Sequence, residues 1–168
     1  MKNVVDLLEL ALKGEKESLL TYLKYARSTK NISGKNMFIR LAIDEYNHAE
    51  FIQMELKCYY ENGKTIDGKI EKSEIEFIIP HLKKSIVEGR GVKGVTDLDA
   101  LRTALDLEQA AIDLYKKIYE KAEEEKVKKI AQRLMKMEEA HFELIQAEID
   151  NIKRTGYWFD FSEINLER

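Results

Sequence analysis

Leu41-Ala-Ile-Asp-Glu45-Tyr-Asn-His48-Ala-Glu-Phe-Ile52 carries a helical stripe with two residues that do not belong in a core. Leu41, Glu45, His48 and Ile52 are spaced four, three and four apart, so on an α-helix they share one face. A carboxylate and an imidazole stand where apolar side chains would be expected. The same reading returns at Leu134-Met-Lys-Met-Glu138-Glu-Ala-His141-Phe-Glu-Leu-Ile145, each of the four positions displaced by 93 residues (134−41, 138−45, 141−48, 145−52).

The 93-residue offset reaches well beyond these two stretches. Glu15 and Tyr22 recur as Glu108 and Tyr115. Leu8, Ala11, Leu12 and Glu50 recur as Leu101, Ala104, Leu105 and Glu143. Each Glu-x-x-His is preceded, at the same 30-residue distance (45−15, 138−108), by a glutamate that sits on an apolar stripe, between Ala11 and Tyr22 in the first copy and between Ala104 and Tyr115 in the second. The spacing also rejects close rivals: at about 100° per residue, Glu17 and Glu139 fall about 200° and 100° around their helices from the chosen positions. Six candidate metal ligands follow: Glu15, Glu45, His48, Glu108, Glu138 and His141. Four carboxylates facing one another in a dry interior would repel prohibitively. Two divalent cations supply four positive charges against the four negative ones, and carboxylate with imidazole suits iron or manganese better than thiolate-loving metals. A single Glu-x-x-His in a glutamate-rich chain is weak evidence, most often a solvated surface. Two copies with matched upstream glutamates favour the metal site, the surviving rival being a duplicated bundle that has lost its metal or holds a non-redox one.

The rest of the chain supplies a frame for such a site. Four segments have helical periodicity: about Val4 to Thr29, about Lys35 to Glu61, a third opening at the capping-box-like Thr96-Asp-Leu-Asp99, and a fourth running to about Arg154. Asn31-Ile-Ser-Gly34 is read as the stop between the first two, Glu123-Glu-Glu-Lys126 as the turn between the last two, and Asn62-Gly63 and Gly156 as terminators. Short turns make each pair an antiparallel hairpin. More than 30 residues lie between the hairpins, with a short helix expected around Ser73 to Glu88. The expectation is one all-α domain, residues 1–168: hairpin repeats at about 4–61 and 97–154, a crossover at 62–96, and an aromatic tail at 156–168. Two hairpins joined by one long crossover form the ferritin-like type of four-helix bundle.

Composition agrees with that frame and excludes other classes. Of 168 residues, 35% are charged and one is proline, which favours helix; the net charge of −3 is spread over interleaved lysine and glutamate, which argues against a nucleic-acid groove or a membrane surface. No signal peptide or membrane span is expected, because Asp6 and Glu9 break the apolar N-terminal stretch. The single Cys58 rules out an internal disulfide, and a cytoplasmic location is the economical expectation.

With those residues in view, the chain resembles the rubrerythrin and ferritin-like di-iron carboxylate family along nearly its whole length. The resemblance rests on Gly14-Glu15 with Tyr22, Glu45-Tyr-Asn-His48, Glu108 with Tyr115, and Glu138-Glu-Ala-His141. It implies two iron ions, with manganese or a mixed pair as alternatives. Glu45 and Glu138 would bridge or nearly bridge them, His48 and His141 would bind one each, and Glu15 and Glu108 would be terminal. It also implies peroxide reduction, or reaction with oxygen, using electrons from a separate donor such as a rubredoxin. The chain departs from the family in two places. A further glutamate three residues after the third-helix ligand is replaced by Ala111, with Ser18 at the equivalent first-repeat position, and one cysteine cannot build the appended four-cysteine iron centre.

Other residues carry smaller expectations. Tyr22 and Tyr115 lie on the ligand stripe and could hydrogen-bond a ligand carboxylate or pass an electron; core tyrosines with satisfied hydroxyls are an equal reading. Cys58 is read as a helix residue with no role, and His81, a lone histidine beside Pro80 in the crossover, is not expected to be a ligand. Gly156-Tyr-Trp-Phe-Asp-Phe161 is expected to fold over the bundle or into a partner subunit. A homo-oligomer is expected, a dimer first, and the long crossover permits hairpins either to complete one bundle or to exchange between chains. Iron binding or storage without turnover is the alternative function, and a structural bundle the third.

Overall fold

The computed structural model describes residues 4–64, 70, 72–82 and 98–159. Among them lie five α-helices and no strand: α1 (Val4–Ser28), α2 (Ile32–Asn62), α3 (Glu74–Leu82), α4 (Leu98–Lys121) and α5 (Glu125–Thr155). The fold is an all-α ferritin-like bundle in which α1 pairs with α2 and α4 with α5. The two hairpins meet mainly along α1 and α4. Helices α2 and α5 make little backbone contact, and the space between them is filled by the candidate ligands.

Helix ends follow local chemistry, with one correction. Asn31-Ile-Ser-Gly34 does not separate α1 from α2; the break is Thr29-Lys30-Asn31, and α2 starts three residues earlier than its stripe suggests. The Asn31 side-chain oxygen accepts from the amides of Ser33 at 2.8 Å and Gly34 at 3.2 Å, a cap worth about 1 kcal/mol. Gly63 and Gly156 end α2 and α5 with φ of 66° and 80°, a left-handed backbone that glycine takes without Cβ strain. The crossover helix opens at Glu74 on a reciprocal pair: the Ser73 amide donates to Glu76 Oε2 at 2.9 Å, and the Glu76 amide donates to Ser73 Oγ at 3.3 Å. Arg133 of α5 then grips Glu76 bidentately, at 2.6 and 2.7 Å, and holds the Glu76 carboxyl below its ordinary range in spite of burial. Residues 83–88 of the expected crossover helix, Thr96 and Asp97 of the expected cap, the His81 side chain and Phe161 lie outside the described residues.

The core is two apolar clusters, one at each end of the bundle. One gathers Tyr22, Phe38, Leu41, Leu101, Ala104, Ile145 and Trp158; the other gathers Leu8, Ala11, Ile52, Tyr115, Ile118 and Leu134. The sequence repeat explains their composition. Of the pairs Leu8/Leu101, Ala11/Ala104, Tyr22/Tyr115, Leu41/Leu134 and Ile52/Ile145, each sends one member to each cluster, as a pseudo-twofold axis through the middle of the bundle requires. The aromatic tail joins the first cluster within the chain: Trp158 is buried, with its ring edge-on to Phe38 at 6.0 Å. No helix among the described residues is long and apolar enough to cross a membrane.

Candidate metal centre

Between the two apolar clusters lies a buried polar layer. Helix α1 places Glu15 there, α2 places Glu45 and His48, α4 places Glu108, and α5 places Glu138 and His141; none is more than 4% exposed. The rivals Glu17 and Glu139 are exposed, and Glu17 pairs with Lys13 at 3.7 Å in solvent. The six buried residues form two overlapping groups: Glu15, Glu45, His48 and Glu138, and Glu45, Glu108, Glu138 and His141. Within each group the candidate ligand atoms lie within 4.8 Å of one another. Glu45 and Glu138 belong to both. Each group therefore takes three residues from one hairpin and one from the other.

Both imidazoles turn Nδ1 toward the carboxylates, and their rings stack 5.5 Å apart at 12°. His48 Nδ1 lies 2.9 Å from Glu138 Oε1, 3.3 Å from Glu15 Oε2 and 3.7 Å from Glu45 Oε2. His141 Nδ1 lies 3.2 Å from Glu45 Oε1, 3.3 Å from Glu138 Oε2 and 3.5 Å from Glu108 Oε2. Many of these contacts are close but badly aligned. Glu45 Oε1, both Glu138 oxygens and His141 Nδ1 are fully buried and make no hydrogen bond of proper geometry. Orphaned buried polar atoms are rare and costly. Their concentration here, on residues that each offer a lone pair to a shared space, fits a site built around cations rather than around its own hydrogen bonds.

The electrostatics of these protein groups show the same strain. Burial, then Glu138, Glu15 and Glu108, raise the Glu45 carboxyl well above its ordinary range. Burial lifts Glu108 to about 8, even with His141 beside it pulling the other way. Glu138 is also buried, but His48 and His141 outweigh that and hold it below the carboxylate range. Burial would lower both imidazoles, yet the carboxylates, led by Glu138 for His48 and Glu108 for His141, hold them well above the usual histidine value.

The two tyrosines are both placed on the layer, each crossing to the opposite hairpin. Tyr22 of α1 donates its hydroxyl to Glu108 of α4, and Tyr115 of α4 donates to Glu15 of α1. Burial and these carboxylates push both phenols well above their ordinary value, so each hydroxyl stays protonated. Beside Tyr115 a groove of about 370 Å³ opens between α1 and α4 and reaches Glu15. Gly14, Ser18, Ala110 and Ala111 are among the residues lining it.

Three buried acids escaped the sequence reading. Asp44 accepts from or shares a proton with His141 Nε2 at 3.1 Å, and no repeat marks it because its counterpart is Met137. Glu55 and Glu148 are 1% and 0% exposed and are themselves 93 residues apart (148−55), so the offset contained the signal. Glu148 accepts from the Phe159 amide at 2.9 Å, and burial lifts it to about 8. Cys58 is a half-buried free thiol away from the layer.

The comparisons with known proteins point the same way. A family model described as Rubrerythrin matches residues 6–149. A protein described as a probable manganese catalase, from Clostridium acetobutylicum, is 24% identical over 158 residues, covering 88% of this chain and 69% of its own length. No solved structure matches. Together with the two carboxylate–imidazole groups, these similarities support a di-metal carboxylate centre of the di-iron or dimanganese kind. With a model of that family matching from Asp6 to Ile149, the chain belongs to the rubrerythrin family.

Proposed function

We propose that the protein reduces peroxide at a di-iron centre with two electrons from a separate donor such as a rubredoxin: H₂O₂ + 2e⁻ + 2H⁺ gives two waters. The observation that carries this reading is the pair of four-residue groups joined through Glu45 and Glu138. Four carboxylates and two imidazoles with no thiolate fit iron or manganese, and their four negative charges balance two divalent ions. Glu45 and Glu138 would link the two ions, with Glu15 and His48 on one and Glu108 and His141 on the other. A bound metal pair supplies the electrons that break the O–O bond.

The chain's own residues account for the remaining requirements. The α1–α4 groove gives a molecule the size of peroxide, or of oxygen, a way to Glu15 and Tyr115. Tyr22 Oη and Tyr115 Oη hold protons against Glu108 and Glu15, in reach of the layer where water must be formed. The apolar clusters on either side keep the layer dry, so charge on the carboxylates is strongly felt. The name carried by the Clostridium relative favours a second reading, disproportionation of peroxide at a manganese pair.

Anaerobic loading with Fe(II) or Mn(II), followed by mixing with peroxide in the presence or absence of reduced rubredoxin, separates these readings. Oxidation of two electron equivalents of donor per peroxide supports the peroxidase. Oxygen evolution without donor supports the manganese reading. Uptake of metal with no loss of peroxide under either condition ends both and leaves iron binding or storage.

A further inference from the structure

We propose that the two metal positions are unequal, and that Asp44, by holding His141, makes the Glu108–His141 position the tighter one. The inference rests on the reading of the six buried residues as metal ligands. The repeat would otherwise make the two halves equivalent, because Glu15, Tyr22, Glu45 and His48 map residue for residue onto Glu108, Tyr115, Glu138 and His141. One hydrogen bond breaks the symmetry. His141 Nε2 lies 3.1 Å from Asp44 Oδ2, whereas His48 Nε2 is buried and has no hydrogen-bond partner among the described residues. The position equivalent to Asp44 is Met137, which cannot supply a carboxylate (44+93).

The consequence follows from imidazole chemistry. A neutral imidazole carries one N–H and one lone pair, so a ring that offers Nδ1 to a metal keeps its proton on Nε2. For His141 that proton is donated to Asp44, which fixes the ring's tautomer and orientation and makes Nδ1 the better donor. For His48 the same tautomer buries an N–H without an acceptor, which is penalised. His48 turns Nδ1 toward Glu138 at 2.9 Å and Glu15 at 3.3 Å. A metal that takes Nδ1 in that half leaves the ring's remaining proton on Nε2, where no described group accepts it. Asp44 acts through His141 and is a positioning residue; it belongs to neither four-residue group. Outer carboxylate partners of this kind change metal affinity by about 10–100-fold, which sets the expected gap between the two steps.

The test is anaerobic titration of metal-free protein with Co(II), read by visible absorption for affinity and by native mass spectrometry for stoichiometry. A one-metal species is expected to accumulate well before the two-metal species. His48→Ala should keep the tight step and His141→Ala should lose it. Asp44→Ala should bring the two steps together, and Asp44→Asn, of nearly the same shape but uncharged, should leave part of the gap. In the cobalt form of the wild type, one paramagnetically shifted imidazole N–H should exchange slowly with solvent, and Asp44→Asn should make it exchange fast. Two equal steps in the wild type, a tight step that survives in His141→Ala but not in His48→Ala, or a gap unchanged in both Asp44 variants would overturn the inference while leaving the ligand assignment standing. A wild type that takes up no cobalt would overturn both.

Discussion

Glu138 is the most heavily committed residue of the buried layer, and Glu138→Ala tests the site in two independent ways. It belongs to both four-residue groups, so its loss leaves three ligands at each position, and the variant should retain no metal; Glu45→Ala should behave alike. Glu17→Ala should keep two ions, because Glu17 lies in solvent with Lys13. The second measurement needs no metal. In the free protein Glu138 faces His48 Nδ1 at 2.9 Å and His141 Nδ1 at 3.3 Å, all three groups being fully buried. Removing one partner of a buried ion pair costs about 3–5 kcal/mol, because the remaining charge is stranded. For a chain of this size that lowers the thermal midpoint on the order of 10 °C. The pH matters. A lowered Glu138 contributes stability that is present above its ordinary 4.5, and raised histidines contribute stability that is present below their ordinary 6.5 and is lost as pH rises through their folded values. The deficit should therefore be largest between 4.5 and 6.5 and should shrink at alkaline pH. Circular dichroism melts of metal-free wild type, Glu138→Ala and Glu17→Ala across that range, with metal content by mass spectrometry at neutral pH, make the comparison. A Glu138→Ala protein that melts with the wild type or keeps two ions would refute the argument.

Two further outcomes bear on the ends of the bundle. Glu148 is lifted to about 8 from an ordinary 4.5, so its contribution to stability is full below 4.5 and is lost as pH rises toward 8, at up to about 1.4 kcal/mol per pH unit; Glu148→Gln should flatten that part of the stability–pH curve of the metal-free protein, and superimposable slopes from urea titrations would show the burial argument to be wrong. Gly34 lies under Trp158, where a Cβ would approach the ring carbons to 2.7 Å, so Gly34→Ala should destabilise by about 1–3 kcal/mol although alanine is the better helix former. With Trp158→Ala in place the clash is gone and Gly34→Ala should instead stabilise by up to about 1 kcal/mol; a double-mutant cycle in urea that shows no such change of sign would count against the tail packing.

The helices and the polar layer were legible because two periodicities reinforced each other. Helical spacing alone left many glutamates eligible, and the 93-residue offset selected Glu15, Glu45, Glu108 and Glu138, which the structure buries together with His48 and His141. Glu55 and Glu148 obeyed the same offset and were passed over, since neither precedes a Glu-x-x-His at 30 residues as Glu15 and Glu108 do. Asp44 was illegible for the opposite reason: it contributes by breaking the repeat. The start of α2 was misplaced because Asn-Ile-Ser-Gly reads as a turn by composition, whereas the Asn31 side chain turns it into a cap. Trp158 could be expected to fold back. That it would settle on Gly34 depended on the absence of a Cβ on a helix face that periodicity cannot assign to a tail.

The division of the six residues between the hairpins has a mechanical consequence. Each hairpin brings three of them, and each four-residue group borrows its last member, Glu138 or Glu45, from the other. Contacts within a hairpin join residues near in sequence and form early and cheaply, while the layer is completed only when residues 93 apart come together. A pair of ions coordinated across that seam would be two reversible cross-links between halves that otherwise touch mainly along α1 and α4. Opening the seam would then release metal, and bound metal would hold the seam closed by mass action. Rates of metal loss and of hairpin separation would become a single rate, and the protein's resistance to unfolding would be set by what occupies its centre as much as by what surrounds it.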